Sequence, residues 1–377
     1  MFSRKHVFSA ALLAATLSIS LSVSAQHYTR TDLTQNAAGV SNALNTDPNL
    51  VNAWGLSRSS GSPWWISDNG TGLATLYNAD GVPQSLVVTM AHPDNVTQSA
   101  PTGTVFNYAA GFEAAAGFKS VFIFCTEEGT ITAWAPGANP TVALVRVNRN
   151  GHAVYKGCAL AGPTASSWLY AANFQTGRID VWDNQFNPIN LGGNAFRLSG
   201  KQGGESAGNS TDNRQDLVWA PFNIQNVGGN LVVTFARKAP GATDETAGPG
   251  FGRVVIFDPS GRKIRELQTG TFLNAPWGVT LAPADFGAFS HRLLIGNFGD
   301  GTIHAFNAVS GRFEGTLLDA SGAPIKIDGL WALSFASGAA NSGLANNLYF
   351  TSGPKDETAG VFGKLVPVNA EQRGNAE

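Results

Sequence analysis

Amide and carboxylate side chains recur at corresponding turns along this chain, and their oxygens are of the kind that bind divalent cations or sugar hydroxyls. Three of them stand in the turns "SDNGTG", "ANFQTG" and "NFGDG": Asp68, Asn173 and Asn297. Four others stand at or near the starts of short apolar runs: Asn52, Asn223, Asn274 and Asp328. A short polar side chain in a turn also hydrogen-bonds the turn's own backbone. We favour that structural role for the first three and keep all seven as ligand-binding candidates.

Lys156 breaks the pattern of an otherwise aromatic position, because three other copies of the same motif carry tryptophan there. Its ammonium is expected near His152 and Tyr155, and we include Lys156 and His152 among the ligand-binding candidates. An amine that is desolvated in a pocket can bind an anion, or act as a base when burial lowers its pKa. The alternative, which we favour, is an ion pair with Glu127 or another acidic neighbour.

The sequence "DETAG" occurs twice, at residues 244–248 and 356–360. Paired carboxylates in glycine-containing loops can supply oxygen ligands, so Asp244, Glu245, Asp356 and Glu357 are candidates for calcium or another divalent cation. The spacing matches no EF-hand. The alternative is that these charges are solvated, or that they pair with basic residues nearby: Arg237, Lys238 and Lys355.

Other kinds of catalytic site find no support in the sequence. There is no G-x-S-x-G motif, and the histidines have no carboxylate partner at a recognisable spacing. No His/Cys spacing typical of zinc occurs, and no glycine-rich phosphate loop opens a helix. The catalytic residues, if the protein is an enzyme, are therefore not identified by motif.

Six short apolar runs share one motif, a bulky or long side chain followed by a small residue. The anchors of these runs are Trp54, Thr102, Lys156, Phe222, Trp277 and Trp331, at steps of 48 to 66 residues. Regular self-similarity at this period indicates stacked supersecondary units. Each unit reads as four short strands separated by Gly-, Asn- or Asp-containing turns. The sequence therefore predicts an all-β, six-bladed β-propeller of four-stranded blades.

The last unit has room for only three strands. The N-terminal segment 28–36 alternates polar and apolar residues and can supply the fourth. A ring that is closed in this way leaves no open sheet edge. Because the strands alternate in direction, the starts of first strands and the loops between second and third strands share one face. That channel mouth is the expected binding pocket, and long loops at 200–216 and 237–252 are expected at the surface.

Targeting and composition favour an exported protein. Residues 1–25 have a basic start, an apolar stretch and a small-residue cleavage pattern, which is typical of a signal peptide. We expect one propeller domain over residues 26–368, with a polar tail at 369–377 and no membrane span after cleavage. The chain has 24 basic and 26 acidic residues, which argues against nucleic-acid binding. Cys125 and Cys158, the only cysteines, resemble small core residues more than a disulfide.

Several stretches, among them "DPNLVNAWGLSRS", "VYKG", "APFNIQN", "APWGVTLAP" and "GNFGDGTI", resemble an uncharacterised family of exported bacterial propeller proteins. The resemblance covers residues 28–363 and implies export and a propeller, with no assigned activity. A looser resemblance is to six-bladed lactonase and gluconolactonase-like propellers, which hold a divalent metal with one Glu, two Asn and one Asp. Here no Glu opens any innermost strand, although Asn and Asp residues fall near suitable positions.

Together these patterns predict a monomeric, periplasmic or extracellular binding protein. Its partner is expected to be a protein, a polysaccharide or a small molecule at the channel mouth. The alternative function is a metal-dependent, lactonase-like hydrolase that uses an Asn/Asp site in the channel.

Overall fold

Strands make up nearly all of the regular structure in the computed structural model, which describes residues 26–198 and 217–368. In that part of the chain the one helical element is a 3-10 turn at Gly287–Phe289. No helix in the described ranges is long and apolar enough to cross a membrane. The glycine-rich turns and short apolar runs of the sequence therefore form an all-β protein, as predicted.

The strands follow one another along the chain in groups separated by loops. The N-terminal pair is β1 (Tyr28–Gln35) and β2 (Asn45–Thr46). The next four are β3 (Ala53–Ser57), β4 (Trp64–Asp68), β5 (Leu73–Tyr77) and β6 (Pro83–Met90). Six more are β7 (Pro101–Phe106), β8 (Glu113–Ala115), β9 (Phe118–Lys119), β10 (Phe122–Thr126), β11 (Thr130–Trp134) and β12 (Val142–Asn148).

The strands of the second half are likewise grouped between loops. After β13 (Tyr155–Ala161), β14 (Trp168–Asn173) and β15 (Arg178–Trp182) come β16 (Val218–Val227), β17 (Asn230–Lys238), β18 (Gly252–Phe257) and β19 (Lys263–Glu266). The last seven are β20 (Pro276–Leu281), β21 (Leu293–Asn297), β22 (Ile303–Phe306), β23 (Phe313–Thr316), β24 (Leu330–Phe335), β25 (Leu348–Ser352) and β26 (Val361–Pro367).

Antiparallel meanders of these strands form a β-propeller arrangement. Two sheets have four strands each, in the orders β16-β17-β18-β19 and β20-β21-β22-β23. The sheet β2-β1-β26-β25-β24 joins the two ends of the described chain, with Tyr28 opposite Pro367 and Gln35 opposite Val361. The N-terminal strand thus lies beside the last strand, where the sequence predicted it.

Two features keep the number of separate four-stranded sheets below the predicted six. First, β6 and β12 pair in parallel over two residue pairs, so eight strands form one continuous sheet, β3-β4-β5-β6-β12-β11-β10-β7. Second, the described residues add no regular fourth strand to β13-β14-β15, where an isolated bridge joins Trp182 to Pro188. The loop predicted at 200–216 lies outside the described residues, as do segments 1–25 and 369–377.

The small residue of each repeated motif lets neighbouring inner strands approach one another. A Cβ on Gly55 would lie 2.3 Å from the carbonyl oxygen of Thr102, and one on Gly103 would lie 2.7 Å from the Cys158 nitrogen. The inner strands therefore pack backbone against backbone around the axis. Cys125 and Cys158 are buried free thiols.

Candidate ligand-binding site

Aromatic side chains of the repeated motif fill the central channel. Trp54 and Trp331 stack with ring centroids 3.7 Å apart, and Trp277 and Phe222 pack against Trp331 edge-on at 6.0 and 5.8 Å. All four belong to one buried cluster. We call this cluster the aromatic plug. It divides the channel into an upper mouth, where first strands start, and a lower mouth, where they end.

Lys156 takes the place of an aromatic ring at the upper side of this plug. Its side chain is buried, with the ammonium 5.1 Å from the Trp54 ring centroid. The Nζ atom donates to Glu127 Oε1 at 2.5 Å and to Asp244 Oδ1 at 2.8 Å. The favoured prediction of an ion pair with Glu127 is thus confirmed, and Asp244 is a second partner.

The pKa of Lys156 is raised, whereas a lysine that acts as a base at neutral pH needs a lowered pKa. Burial would lower it, but the carboxylates of Glu127 and Asp244 raise the pKa above its usual value. In turn, the Lys156 ammonium lowers the pKa of Asp244 against the effect of burial. Lys156 therefore stays charged at physiological pH, and the alternative of a neutral lysine base is not supported.

Lys238 anchors the loop that carries the first "DETAG" sequence. Its buried ammonium donates to three backbone carbonyls, of Phe174, Gln175 and Ala242, at 2.8, 3.3 and 2.7 Å. Burial, together with the nearby Lys156 charge, lowers its pKa to about 8. Lys238 thus fixes the loop through carbonyl oxygens and leaves Asp244 to Lys156, which is not the pairing that the sequence suggested.

The second "DETAG" loop reaches the same place from the opposite end of the chain. Glu357 Oε2 accepts a hydrogen bond from Asn52 Nδ2 at 2.7 Å, and Trp331 Nε1 donates to Asn52 Oδ1 at 2.8 Å. Lys355, Asp356 and Glu357 all have positive φ angles, of 59°, 51° and 64°. Three consecutive left-handed residues are unusual and strained, and such strain concentrates at functional sites.

Asn52 also links Glu357 to the Lys156 ion pair. Its Nδ2 donates to Asn69 Oδ1 at 3.1 Å, and Asn69 Nδ2 donates to Glu127 Oε2 at 2.9 Å. One hydrogen-bonded network therefore runs from Glu357 through the two asparagines to Glu127 and Lys156. We call this network, with Asp244 and Glu245, the acidic mouth.

Glu245 is a member of the acidic mouth that ionises near neutral pH. Burial raises its pKa to about 7, against the attraction of Lys156 and in concert with the negative charges of Glu357 and Asp244. Burial also raises the pKa of Glu357. No ion pair within the described part of the chain involves either glutamate. The acidic mouth therefore carries more negative charge than Lys156 neutralises.

The three recurring turn residues lie deeper than the acidic mouth and bond within the protein. Asp68 accepts from Thr75 Oγ1 at 2.7 Å, and burial raises its pKa well above the usual range. Asn173 donates to Asp180 Oδ2 at 2.9 Å, and Asn297 donates to the carbonyl of Phe272 at 2.7 Å. These three side chains are fully buried, so their contacts hold neighbouring strands and turns together.

The other predicted residues are dispersed. Asn223 lies on β16 and donates to the Trp277 carbonyl at 2.8 Å, whereas Asn274 accepts from the Gly248 amide at 2.6 Å. Asp328 is exposed and accepts from the Lys355 amide at 3.1 Å. His152 and Asp356 are exposed and take no part in the network.

The proposed Asn/Asp metal site does not assemble from these positions. The asparagine side chains bond to protein groups in separate places, and the Lys156 ammonium stands between the two carboxylates that approach most closely. Within residues 26–198 and 217–368, no three His, Cys, Asp or Glu side chains group in a way that could hold a metal ion. The predicted donors that the structure describes therefore do not come together as one cluster, and a divalent-cation site stays a prediction.

Two members of the acidic mouth, Asn69 and Glu127, were not predicted as binding residues. Asn69 follows Asp68 in "SDNGTG" and looked like an ordinary turn residue, because Asn-Gly favours tight turns. Trp54 looked like core, and it is buried, but its Nε1 finds no hydrogen-bond partner in the described part of the chain. Comparing the repeats would have shown Glu127, after Thr126, in the position corresponding to Asn69.

Solved structures of other proteins share the propeller arrangement. A Bacteroides thetaiotaomicron protein of unknown function has a TM-score of 0.53 at 11% identity, covering 90% of this chain and 76% of that one. A glucose dehydrogenase has a TM-score of 0.50 at 13% identity, covering 89% of this chain and 99% of that one. At such identities the likeness shows the fold alone.

Sequence relatives overturn the expected membership of a bacterial family. Uncharacterized protein R648 of Acanthamoeba polyphaga mimivirus is 31% identical over 332 residues, covering 86% of this chain and 76% of its own length. Uncharacterized protein L690 of the same virus is 31% identical over 334 residues, covering 86% of this chain and 82% of its own. No protein-family model matches. The chain therefore belongs to the family of these uncharacterized mimivirus proteins.

Proposed function

We propose that this protein is a binding protein whose ligand sits at the acidic mouth. The observation that carries the proposal is the convergence of Glu127, Asp244, Glu245 and Glu357 on a single ammonium, that of Lys156. Clustered carboxylates repel one another, and this repulsion costs free energy unless something offsets it. A ligand with a positive charge would supply that offset.

The chemistry of the mouth favours a ligand that presents ammonium groups. Glu357 accepts one hydrogen bond, from Asn52, and has free acceptor positions; Glu245 is near half ionisation at neutral pH. A bound ammonium would lower the pKa of both and take up their lone pairs. The buried ring of Trp54 is already occupied on one side by Lys156, so binding would occur on the carboxylates rather than by stacking on that ring.

We further propose that the scaffold is a six-bladed propeller exported from the cell as a monomer. The short parallel pairing of β6 with β12 would then join two neighbouring blades, and β1 would complete the last one. Export is supported by the signal-like pattern in residues 1–25 of the sequence.

Paired oligosaccharides that differ only in charge test the binding proposal. Calorimetric titration of the full chain should show that a chitosan tetramer, which carries amines, binds at low salt, while a chitin tetramer, whose amines are acetylated, does not. The double variant Glu245→Gln/Glu357→Gln should weaken chitosan binding by about tenfold or more, because it removes two charge-assisted contacts.

A surface variant controls for nonspecific charge. Glu314→Gln removes one carboxylate from an exposed pair with Arg292 and should leave chitosan binding unchanged. Equal binding of both tetramers, or undiminished chitosan binding by the double variant, would rule out the acidic mouth as a site for amines.

A further inference from the structure

The lower mouth of the channel contains two adjoining cavities that none of the acidic-mouth residues lines. Two cavities of about 320 Å³ each share a wall formed by Leu56, Arg58, Thr104, Gln225, Asn226 and Ser334. Trp277 of the aromatic plug lines one of them, and Lys156 lines neither. The room is enough for a small organic molecule.

The charge of this cavity is opposite to that of the upper mouth. Among residues 26–198 and 217–368, Arg58 is the charged residue that lines both cavities, and no acidic side chain lines either of them. Its guanidinium donates to the Phe335 carbonyl, at 3.1 Å from Nε and 2.6 Å from Nη2, and to the Ser59 carbonyl, at 3.3 Å from Nη1. It lies 5.3 Å from the Trp64 ring centroid. These contacts fix the guanidinium in place but do not neutralise it, and its remaining N–H groups can serve an anion.

A buried hydroxyl without a partner lies in the same wall. Thr104 is 7% exposed, and its Oγ1 has no hydrogen-bond partner in the described part of the chain. An unsatisfied buried hydroxyl costs free energy, and ligand-binding sites are places where such a cost is recovered. Gln225 and Ser334 add further polar groups at the rim.

We propose that the lower cavity binds a small organic oxyanion that also carries hydroxyl groups, with the anion on Arg58 and a hydroxyl on Thr104. The guanidinium fork matches the two oxygens of a carboxylate or a phosphate. Thr104 can both donate to and accept from a ligand hydroxyl. A hydroxy acid is the simplest molecule with both groups. The proposal is independent of the function of the acidic mouth, because the two sites share no polar side chain.

Calorimetric titration of the full chain, in low-salt Tris–chloride, tests this site with three matched probes. Gluconate and sorbitol 6-phosphate carry an oxyanion on a six-carbon polyol, whereas sorbitol has the hydroxyls without the charge. Binding of either anion at millimolar concentration, without binding of sorbitol, supports the proposal. The tighter of the two shows whether the natural group is a carboxylate or a phosphate.

Variants then locate the binding. Arg58→Gln should weaken the anion by about tenfold or more, and Thr104→Val, of nearly equal shape, should weaken it several-fold. Arg312→Gln removes an exposed arginine outside the cavity and should have no effect. If Arg58→Gln fails to fold, the comparison of Thr104→Val with Thr104→Ser tests the site, because Thr104→Ser keeps the hydroxyl that Thr104→Val removes. Failure of both anions to bind, or undiminished binding by Thr104→Val, overturns the proposal.

Discussion

The charge state of a single buried lysine decides what the upper mouth can do. Lys156 is as buried as the tryptophans of the same motif, and burial alone would drive it towards the neutral amine. Two carboxylates within hydrogen-bond distance reverse that tendency. Charge pairing therefore outweighs desolvation at this position. Glu245 forms no ion pair within the described residues, and burial therefore raises its pKa to about 7.

The raised pKa of Glu245 should make the free energy of unfolding depend on pH. Its pKa is about 7 in the folded protein against an ordinary 4.5, so the folded state keeps a proton that the unfolded chain releases. The free energy of unfolding should then fall as pH rises from about 4.5 to 7, and the fall is complete above that. Glu245→Gln should flatten this part of the curve. Chemical denaturation at several pH values checks it, with Glu314→Gln as the control; identical curves for wild type and Glu245→Gln would contradict the assignment.

At the scale of elements, the repeated glycine sets how closely the inner strands pack. Gly55 of β3 faces backbone atoms of β7, and Gly157 of β13 faces Asn223 of β16. At Gly55 a side chain has no room, because the atoms that it would meet are backbone and cannot rotate away as a flexible side chain can. The motif read from the sequence as bulky-then-small is therefore a packing rule: the bulky side chain fills the channel and the small residue admits the next strand.

Alanine at one of these glycines should be costly. A Cβ on Gly55 would lie 2.3 Å from the Thr102 carbonyl oxygen and 2.8 Å from the Thr104 nitrogen. Gly55→Ala should lower the free energy of unfolding by about 2 kcal/mol or more, because the strands must separate. Gly193→Ala is the control, since nothing lies within 4 Å of its Cβ position, and it should change stability by less than about 0.5 kcal/mol. Urea denaturation measures both, and equal effects would refute the packing argument.

For the whole molecule, the pairing of β1 with β26 holds the ring of sheets closed. The register of β1 with β26 extends from Tyr28 to Gln35, and the Tyr28 ring packs on Phe286 at 4.7 Å in the neighbouring unit. Without β1, the outer edge of β26 would present unpaired N–H and C=O groups. Closure thus protects the sheet edge as well as burying apolar surface.

Removal of residues 26–36 should therefore destabilise the entire protein. We expect the truncated chain to aggregate or to melt well below the intact one, since an exposed strand edge pairs with other chains. A synthetic peptide of residues 26–36, added during refolding, should restore a monomeric species by size-exclusion chromatography. A scrambled peptide of the same composition should not. A truncated chain that melts like the intact protein would show that the strand is dispensable.

Local sequence patterns predicted the residues whose roles depend on their own strand or turn. Asp68, Asn173 and Asn297 were expected to act in structure, and they are buried and bonded within the protein. The partner of the second "DETAG" loop could not be predicted in this way. Glu357 bonds to Asn52, and that contact depends on the ends of the chain meeting.

The sequence by itself determined the all-β class, the four-strand meander and the place of the N-terminal strand. These follow from period, turn chemistry and the chain order of strands, which are local properties. Only the tertiary structure decided that Lys156 pairs with both Glu127 and Asp244, that both "DETAG" loops converge near Lys156, and that Arg58 and Thr104 share a cavity wall at the lower mouth. The arrangement of the sheets around the channel brings together residues that lie far apart in the chain. Their spacing in the sequence does not predict these contacts.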